Sequence, residues 1–182
     1  MAEPNRSAPR PVAISTVSRL RRVAWGVVYA LLYRSSPRPL HGWRRLLLRL
    51  FGATIGAGAH PYPRARVWAP WNLTMGPGAA LADDTDCYSV ARITIGAAAT
   101  VSQYSYLCSA SHDIDAPGRP LVAAPIVIGD AAWVAADCFI GPGVTIGTGA
   151  VVAARSTVLR DVGPGEVVAG SPPRLIRHVP CR

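Results

Sequence analysis

The sequence predicts an all-β solenoid, a parallel β-helix of six-residue repeats entered through N-terminal helices and closed by a short C-terminal tail. Three observations predict it. An apolar residue recurs at every sixth position: from Ile128 the series runs Val134, Ile140, Ile146, Val152, Val158, and earlier stretches carry Ile95, Val101, Leu107 and Met75, Leu81, Cys87. A helix repeats its apolar face at three, four and seven, and a lone strand at two, so neither sustains this period. The next position is often small (Gly76, Ala82, Gly96, Gly129, Ala135, Gly141, Gly147, Ala153), as a corner with crowded backbones requires. The residues two places earlier share a strand face with the apolar one, and Ala132, Cys138, Val144, Ala150 and Ser156 are small enough for a narrow interior.

The elements follow in order. Residues 1–14 are polar and proline-bearing and read as a disordered N-terminus. Residues 15–52 read as a helical cap. Its first helix covers Ser15 to Tyr33, with Arg19, Arg21 and Arg22 ahead of an apolar run, and Pro37 and Pro39 forbid its continuation. A second helix fits His41 to Phe51, with Trp43, Leu46, Leu47, Leu50 and Phe51 on one stripe and Arg44, Arg45 and Arg49 away from it. Residues 53–161 form the coils, from Ile55-Gly56 to Val158. Two intervals stretch to eight residues, Val67 to Met75 and Cys87 to Ile95, and one long break separates Leu107 from Ile128. The segment 108–127 is therefore a polar, proline-rich loop on a rigid scaffold, the first place to look for function. Residues 162–182 leave the repeat as a tail with a short extended segment and a final helical turn.

Composition narrows the classes. Half of the residues are hydrophobic and 16% are charged. The longest apolar run, Val23 to Tyr33, is too short to span a bilayer, which takes about 20 residues. It lacks the pattern of a secretory signal, so a cytoplasmic protein is expected. Four cysteines (Cys87, Cys108, Cys138, Cys181) show no CxxC spacing and read as reduced, mostly buried thiols. The net charge is +9, carried by arginine alone, and ten arginines precede Phe51 against one acid, Glu3. No nucleic-acid module accompanies them. Two roles fit the basic, apolar front end: a cap on the open end of the solenoid, or peripheral attachment to an anionic membrane surface.

Several segments resemble the hexapeptide-repeat acyltransferases of the galactoside and maltose O-acetyltransferase branch. They are Ile128-Gly-Asp-Ala-Ala-Trp133, Ile140-Gly-Pro-Gly-Val-Thr-Ile-Gly147 and Val168-Ala-Gly-Ser-Pro-Pro-Arg-Leu-Ile-Arg177. Ser36-Pro-Arg-Pro-Leu-His-Gly-Trp-Arg-Arg45 and Tyr106-Leu-Cys-Ser-Ala-Ser-His-Asp113 are similar, more specifically, to the colanic acid biosynthesis acetyltransferases. The resemblance implies a left-handed coil, acetyl-CoA as co-substrate, no metal, and a homotrimer with sites between subunits. The implied acceptor is a sugar or a lipid-linked saccharide. His112 matches the family's general base, and a histidine titrates near working pH; without the resemblance it reads equally as a surface histidine. Trp133, Ala136, Ala154, Leu159, Arg160, Arg174 and Arg177 match the donor groove. There the family more often has a hydroxyl residue at 136, threonine at 159 and a small residue in place of Arg155, so Ala136 and Leu159 act through the main chain. Asp83, Asp84 and Tyr104 fall where related enzymes hold the sugar, and the two carboxylates suit a tight corner equally well. The alternatives are a non-catalytic β-helix scaffold and a zinc enzyme. The latter needs three histidines, and the coils offer His60 and His112.

Overall fold

The computed structural model describes residues 9–179, and in them the six-residue beat becomes three parallel sheets that the chain visits in fixed order. The first sheet takes Thr54–Ile55, Leu73–Met75, Ile93–Ile95, Ile126–Ile128 and Thr145–Ile146. The second takes His60–Pro61, Ala80–Leu81, Thr100–Val101, Trp133–Val134, Val151–Val152 and Glu166–Gly170. The third takes Arg66–Val67, Asp86–Tyr88, Tyr106–Cys108, Phe139–Ile140 and Thr157–Val158. Successive coils pair in register, Leu81 with Val101 and Ile95 with Ile128. The repeated aliphatics therefore stack inside and are fully buried, as are the small residues two places before them. Each large side chain so buried contributes about 1.5–3 kcal/mol.

The three corners differ. Between the first and second sheets the backbones of successive coils nearly touch: a Cβ on Gly76 would lie 2.6 Å from Ala97 N, and one on Gly147 2.4 Å from Pro164 N. Between the second and third sheets Asp84, Tyr104, Asp137 and Arg155 each turn through the left-handed region (φ 60–63°), at about 1–2 kcal/mol apiece. Every departure from the period falls at the remaining corner, between the third and first sheets. There Asn72 Nδ2 donates to Ser89 O (2.9 Å) and Val90 O (2.8 Å), and Ala91 N donates to Ser109 Oγ (2.9 Å), tying the insertions together.

The open ends are closed by hydrogen bonding as much as by apolar cover. Each coil's N–H groups donate upward, Gly56 N to Met75 O and Tyr62 N to Leu81 O, so the carbonyls of the first coil have no coil beneath them. A first helix, α1 (Thr16–Val28), is capped by the Ser15 hydroxyl accepting from Ser18 N (3.2 Å) and runs into a π-helical turn, Tyr29–Tyr33. Its Trp25 Nε1 donates to Val67 O (2.7 Å). A second helix, α2 (His41–Leu50), supplies Arg44 Nε to Pro61 O (2.7 Å), Arg45 to Ala59 O (2.8 Å) and Arg49 Nε to Ile55 O (3.1 Å). This corrects the stripe expected on α2. Arg44, Leu47 and Leu48 are buried, whereas Leu46 and Leu50 are 47% and 71% exposed and Trp43 39%. Unpaired buried carbonyls need donors, which arginine has and leucine lacks.

Two further expectations are corrected. The disorder expected over 1–14 does not hold for Arg10–Pro11, which pairs antiparallel with Leu121–Ala123 while Val12 N donates to Leu121 O (2.9 Å). The loop's edge strand offers main-chain groups that this segment satisfies; residues 1–8 lie outside the described residues. At the other end the coil persists past 162, because Val162 bridges Ile146 and Val167 pairs with Val151. No helical turn follows within 171–179. Pro173–His178 instead turns back antiparallel on Glu166–Gly170 and covers the top edge. Cys87, Cys108 and Cys138 are free and buried; Cys181 is outside the described residues.

Candidate active site

His112 stands on an ordered hairpin at the irregular corner. Ala110–His112 pairs antiparallel with Leu121–Ala123, His112 lying opposite Leu121. The turn reverses through Gly118 and Arg119, both at positive φ (76° and 47°), and this aims the Arg119 carbonyl at the imidazole, 2.7 Å from Nδ1. A carbonyl only accepts, so Nδ1 carries a hydrogen, and in the neutral imidazole the lone pair lies on Nε2. Neither nearby acid orients the ring: Asp113 Oδ1 accepts from Asp115 N (3.1 Å). The ring is exposed and lines a cleft of about 400 Å³ with Ser111, Ile114, Val122 and Pro142. Leu159 and Arg160 follow on the same corner, two coils up, beside a second cleft of about 430 Å³ that Pro172 and Leu175 help line.

Asp83, Asp84 and Tyr104 meet elsewhere, at the corner between the second and third sheets, in a cleft of about 510 Å³. Asp83 is buried, its Oδ1 accepting from Arg64 N (2.9 Å) and its Oδ2 lying 3.4 Å from Arg38. Asp84 pairs with Arg64 (2.9 Å). Both are thus corner formers and cleft walls at once. Tyr104 is 62% exposed and sits on the corner itself. Tyr106 is the strand aromatic, packed between Tyr88, tilted against it, and Phe139, edge to face with it. Sequence reasoning missed Arg38, Arg64, Ser102 and Gln103 in this cleft. A signal for Arg64 existed, since Arg64, Asp84 and Tyr104 recur one coil apart.

Donor-groove candidates divide between the two corners. Trp133 is half exposed on the second sheet, and its Nε1 donates to Ser102 Oγ (2.9 Å) at the rim of the Asp83 cleft. Ala136 and Ala154 stack on the same corner above Gln103, and their N–H groups bond to nothing among the described residues. Arg155 is held by Asp137 (3.3 Å). Arg174 and Arg177 are exposed on the last strand, opposite Ala169 and Val167, and line none of the three clefts described. Burial pushes the Cys87 and Cys138 thiols up, which makes both poor nucleophiles. Among the described residues no group of three or more His, Cys, Asp or Glu side chains could hold a metal ion.

Within one chain, then, the structure does not bring His112 to Asp83: the two lie on different edges of a three-sided prism. The bacterial transferase hexapeptide family (six repeats) matches residues 125–160. An Escherichia coli K12 protein assigned as a colanic acid biosynthesis acetyltransferase is 45% identical over 154 residues, 85% of each chain. The chain belongs to the hexapeptide-repeat acetyltransferases. A solved member from Vibrio cholerae, complexed with acetyl coenzyme A, superposes with a TM-score of 0.80 at 27% identity, covering 90% of each chain. A maltose O-acetyltransferase from Clostridium difficile shares the fold at a TM-score of 0.72 and 23% identity, covering 91% of this chain and 89% of its own. The fold is the left-handed β-helix of these acetyltransferases.

Proposed function

We propose that this acetyltransferase moves an acetyl group from acetyl-CoA directly to a sugar hydroxyl in exopolysaccharide biosynthesis, with His112 as general base. The observation that carries the reading is the fixed imidazole: Nδ1–H bonds the Arg119 carbonyl and leaves Nε2 free to accept a proton. His112 Nε2 takes the hydroxyl proton as the sugar oxygen attacks the thioester carbonyl. The carbon–sulfur bond then breaks, and the imidazolium returns its proton to the leaving thiolate. Free N–H groups at Ala136 and Ala154 suit the amide oxygens of the pantetheine arm, with Trp133 packed near the reacting end. Arg160, Arg174 and Arg177 suit the nucleotide phosphates, and Leu159 lies along the arm. Asp83, Asp84 and Tyr104 hold the sugar.

The two edges become one site when a three-fold ring sets the loop edge of one chain against the Asp83 corner of the next. We therefore infer a homotrimer with shared sites, working in the cytoplasm where acetyl-CoA is held. The acceptor is a free or lipid-linked saccharide. The test follows thiol release from acetyl-CoA across a panel of sugars and nucleotide sugars, varying both substrates. Acceptor-dependent release with intersecting double-reciprocal lines supports direct transfer, and parallel lines contradict it. Failure to bind coenzyme A at all returns the scaffold reading.

A further inference from the structure

The helices at the foot of the solenoid use only one side against it. α1 buries Trp25 on the first coil, and its opposite side presents Val17, Leu20, Val23 and Val27, continued by Leu31 of the π-helical turn, each between 54% and 67% exposed. Steps of three and four keep these five on one aliphatic stripe. Trp43 Nε1 donates to Leu32 O (3.0 Å), which ties α2 to the end of α1 and adds its exposed Leu46 and Leu50 to the apolar surface. A soluble monomer rarely leaves so extended an apolar face uncovered.

Charge decides what covers it. Between Glu3 and Asp83 the sequence holds twelve arginines and no acid. Arg19 and Arg34 are exposed beside and beyond the stripe, with Arg38 and Arg49 exposed on the linker and on α2. A second copy docked on this face would bring like charges together, which is unfavourable. An anionic bilayer surface supplies hydrocarbon for the stripe and phosphate for its arginines. No helix among the described residues is long and apolar enough to cross a membrane, so these helices would lie in its surface.

We propose that the outer face of α1, continued by Leu46 and Leu50 of α2, docks the protein on an anionic lipid bilayer. Arg38, in the linker between the helices, lines the Asp83 cleft. Docking therefore holds that cleft close to the bilayer, where a lipid-carried sugar is presented. This last step rests on the acetyl-transfer reading, whereas the lipid contact does not.

The test is co-sedimentation of the full-length protein with phosphatidylcholine vesicles, with and without about 30 mol% phosphatidylglycerol, at low and high salt. Wild type is expected to pellet with the anionic vesicles and to lose about tenfold in partitioning without the anionic lipid or at high salt. The triple variant Leu20→Gln/Val23→Gln/Val27→Gln is expected to lose at least about tenfold while keeping its melting temperature and oligomeric state. Should the triple variant not fold, Arg19→Gln/Arg34→Gln carries the same expectation with a smaller loss. Wild type that ignores anionic vesicles overturns the proposal. So does a triple variant that pellets like wild type, or one that changes only its oligomeric state, which would assign the face to a second copy. Thiol release with a soluble acceptor, run on the same variants, separates failure of docking from failure of catalysis.

Discussion

If each site joins the His112 edge of one chain to the Asp83 corner of its neighbour, two inactive variants can repair one another. His112→Ala removes the base, worth about 10²–10⁴ in rate. Asp83→Asn keeps the bond from Arg64 N (2.9 Å) but removes the charge facing Arg38. Give the variants different affinity tags, co-express them and purify through both tags, so that every trimer is mixed. Going round a ring of two subunits of one kind and one of the other, a single junction places an intact Asp83 corner beside an intact His112 loop. Mixed trimers should therefore show about a third of wild-type thiol release per trimer, against near-zero activity for either parent. The tagged wild-type trimer is the reference. Mixed trimers no more active than their parents would refute the division of the site between edges, because a site held within one chain cannot be restored by a neighbour.

Other consequences concern stability and the donor groove. Arg44→Met removes the buried bond to Pro61 O and the part-buried bonds to Pro37 O, Arg38 O and Ser36 Oγ; at about 0.5–1 kcal/mol for each bond, urea unfolding should show a loss of roughly 2–4 kcal/mol. Gly76→Ala pushes a methyl to 2.6 Å from Ala97 N and should cost about 3 kcal/mol or prevent folding. Gly26→Ala, with open space around its Cβ on α1, should stabilise by about 0.5–1 kcal/mol, so the two glycines move the unfolding midpoint in opposite directions. Trp133→Phe keeps the ring but loses the bond to Ser102. It should raise the KM for acetyl-CoA about fivefold with little change in kcat, as a contact worth roughly 1 kcal/mol implies.

The coil was legible because its period is imposed by the narrow interior: Ile128, Val134 and Ile140 can only point inward, and the glycine after Ile146 can only be small. The His112 loop was legible for the related reason that it breaks the period. What the period could not convey is which main-chain groups are left over at the ends. Hydropathy placed Leu46 and Leu50 inside and the arginines outside. The first coil's unpaired carbonyls reversed this, taking donors from Arg44, Arg45 and Arg49. The same blindness hid the closing strand Pro173–His178, whose partners are the N–H groups of the last coil. The place of Tyr104 on a corner was not legible, because a left-handed turn at a non-glycine residue leaves no compositional mark. The candidate residues were found individually; their division between two edges of the prism emerges only from the order of the sheets.

The most direct measurement is thiol release from acetyl-CoA by His112→Ala beside wild type, on the acceptor that gives the fastest release, with coenzyme A binding measured calorimetrically on both proteins. The account predicts acceptor-dependent release by wild type, a fall of about 10²–10⁴ in the variant, and coenzyme A affinity the same within about twofold, since the imidazole contacts the acceptor hydroxyl rather than the nucleotide. Release by His112→Ala within a few-fold of wild type would contradict the assignment of the base.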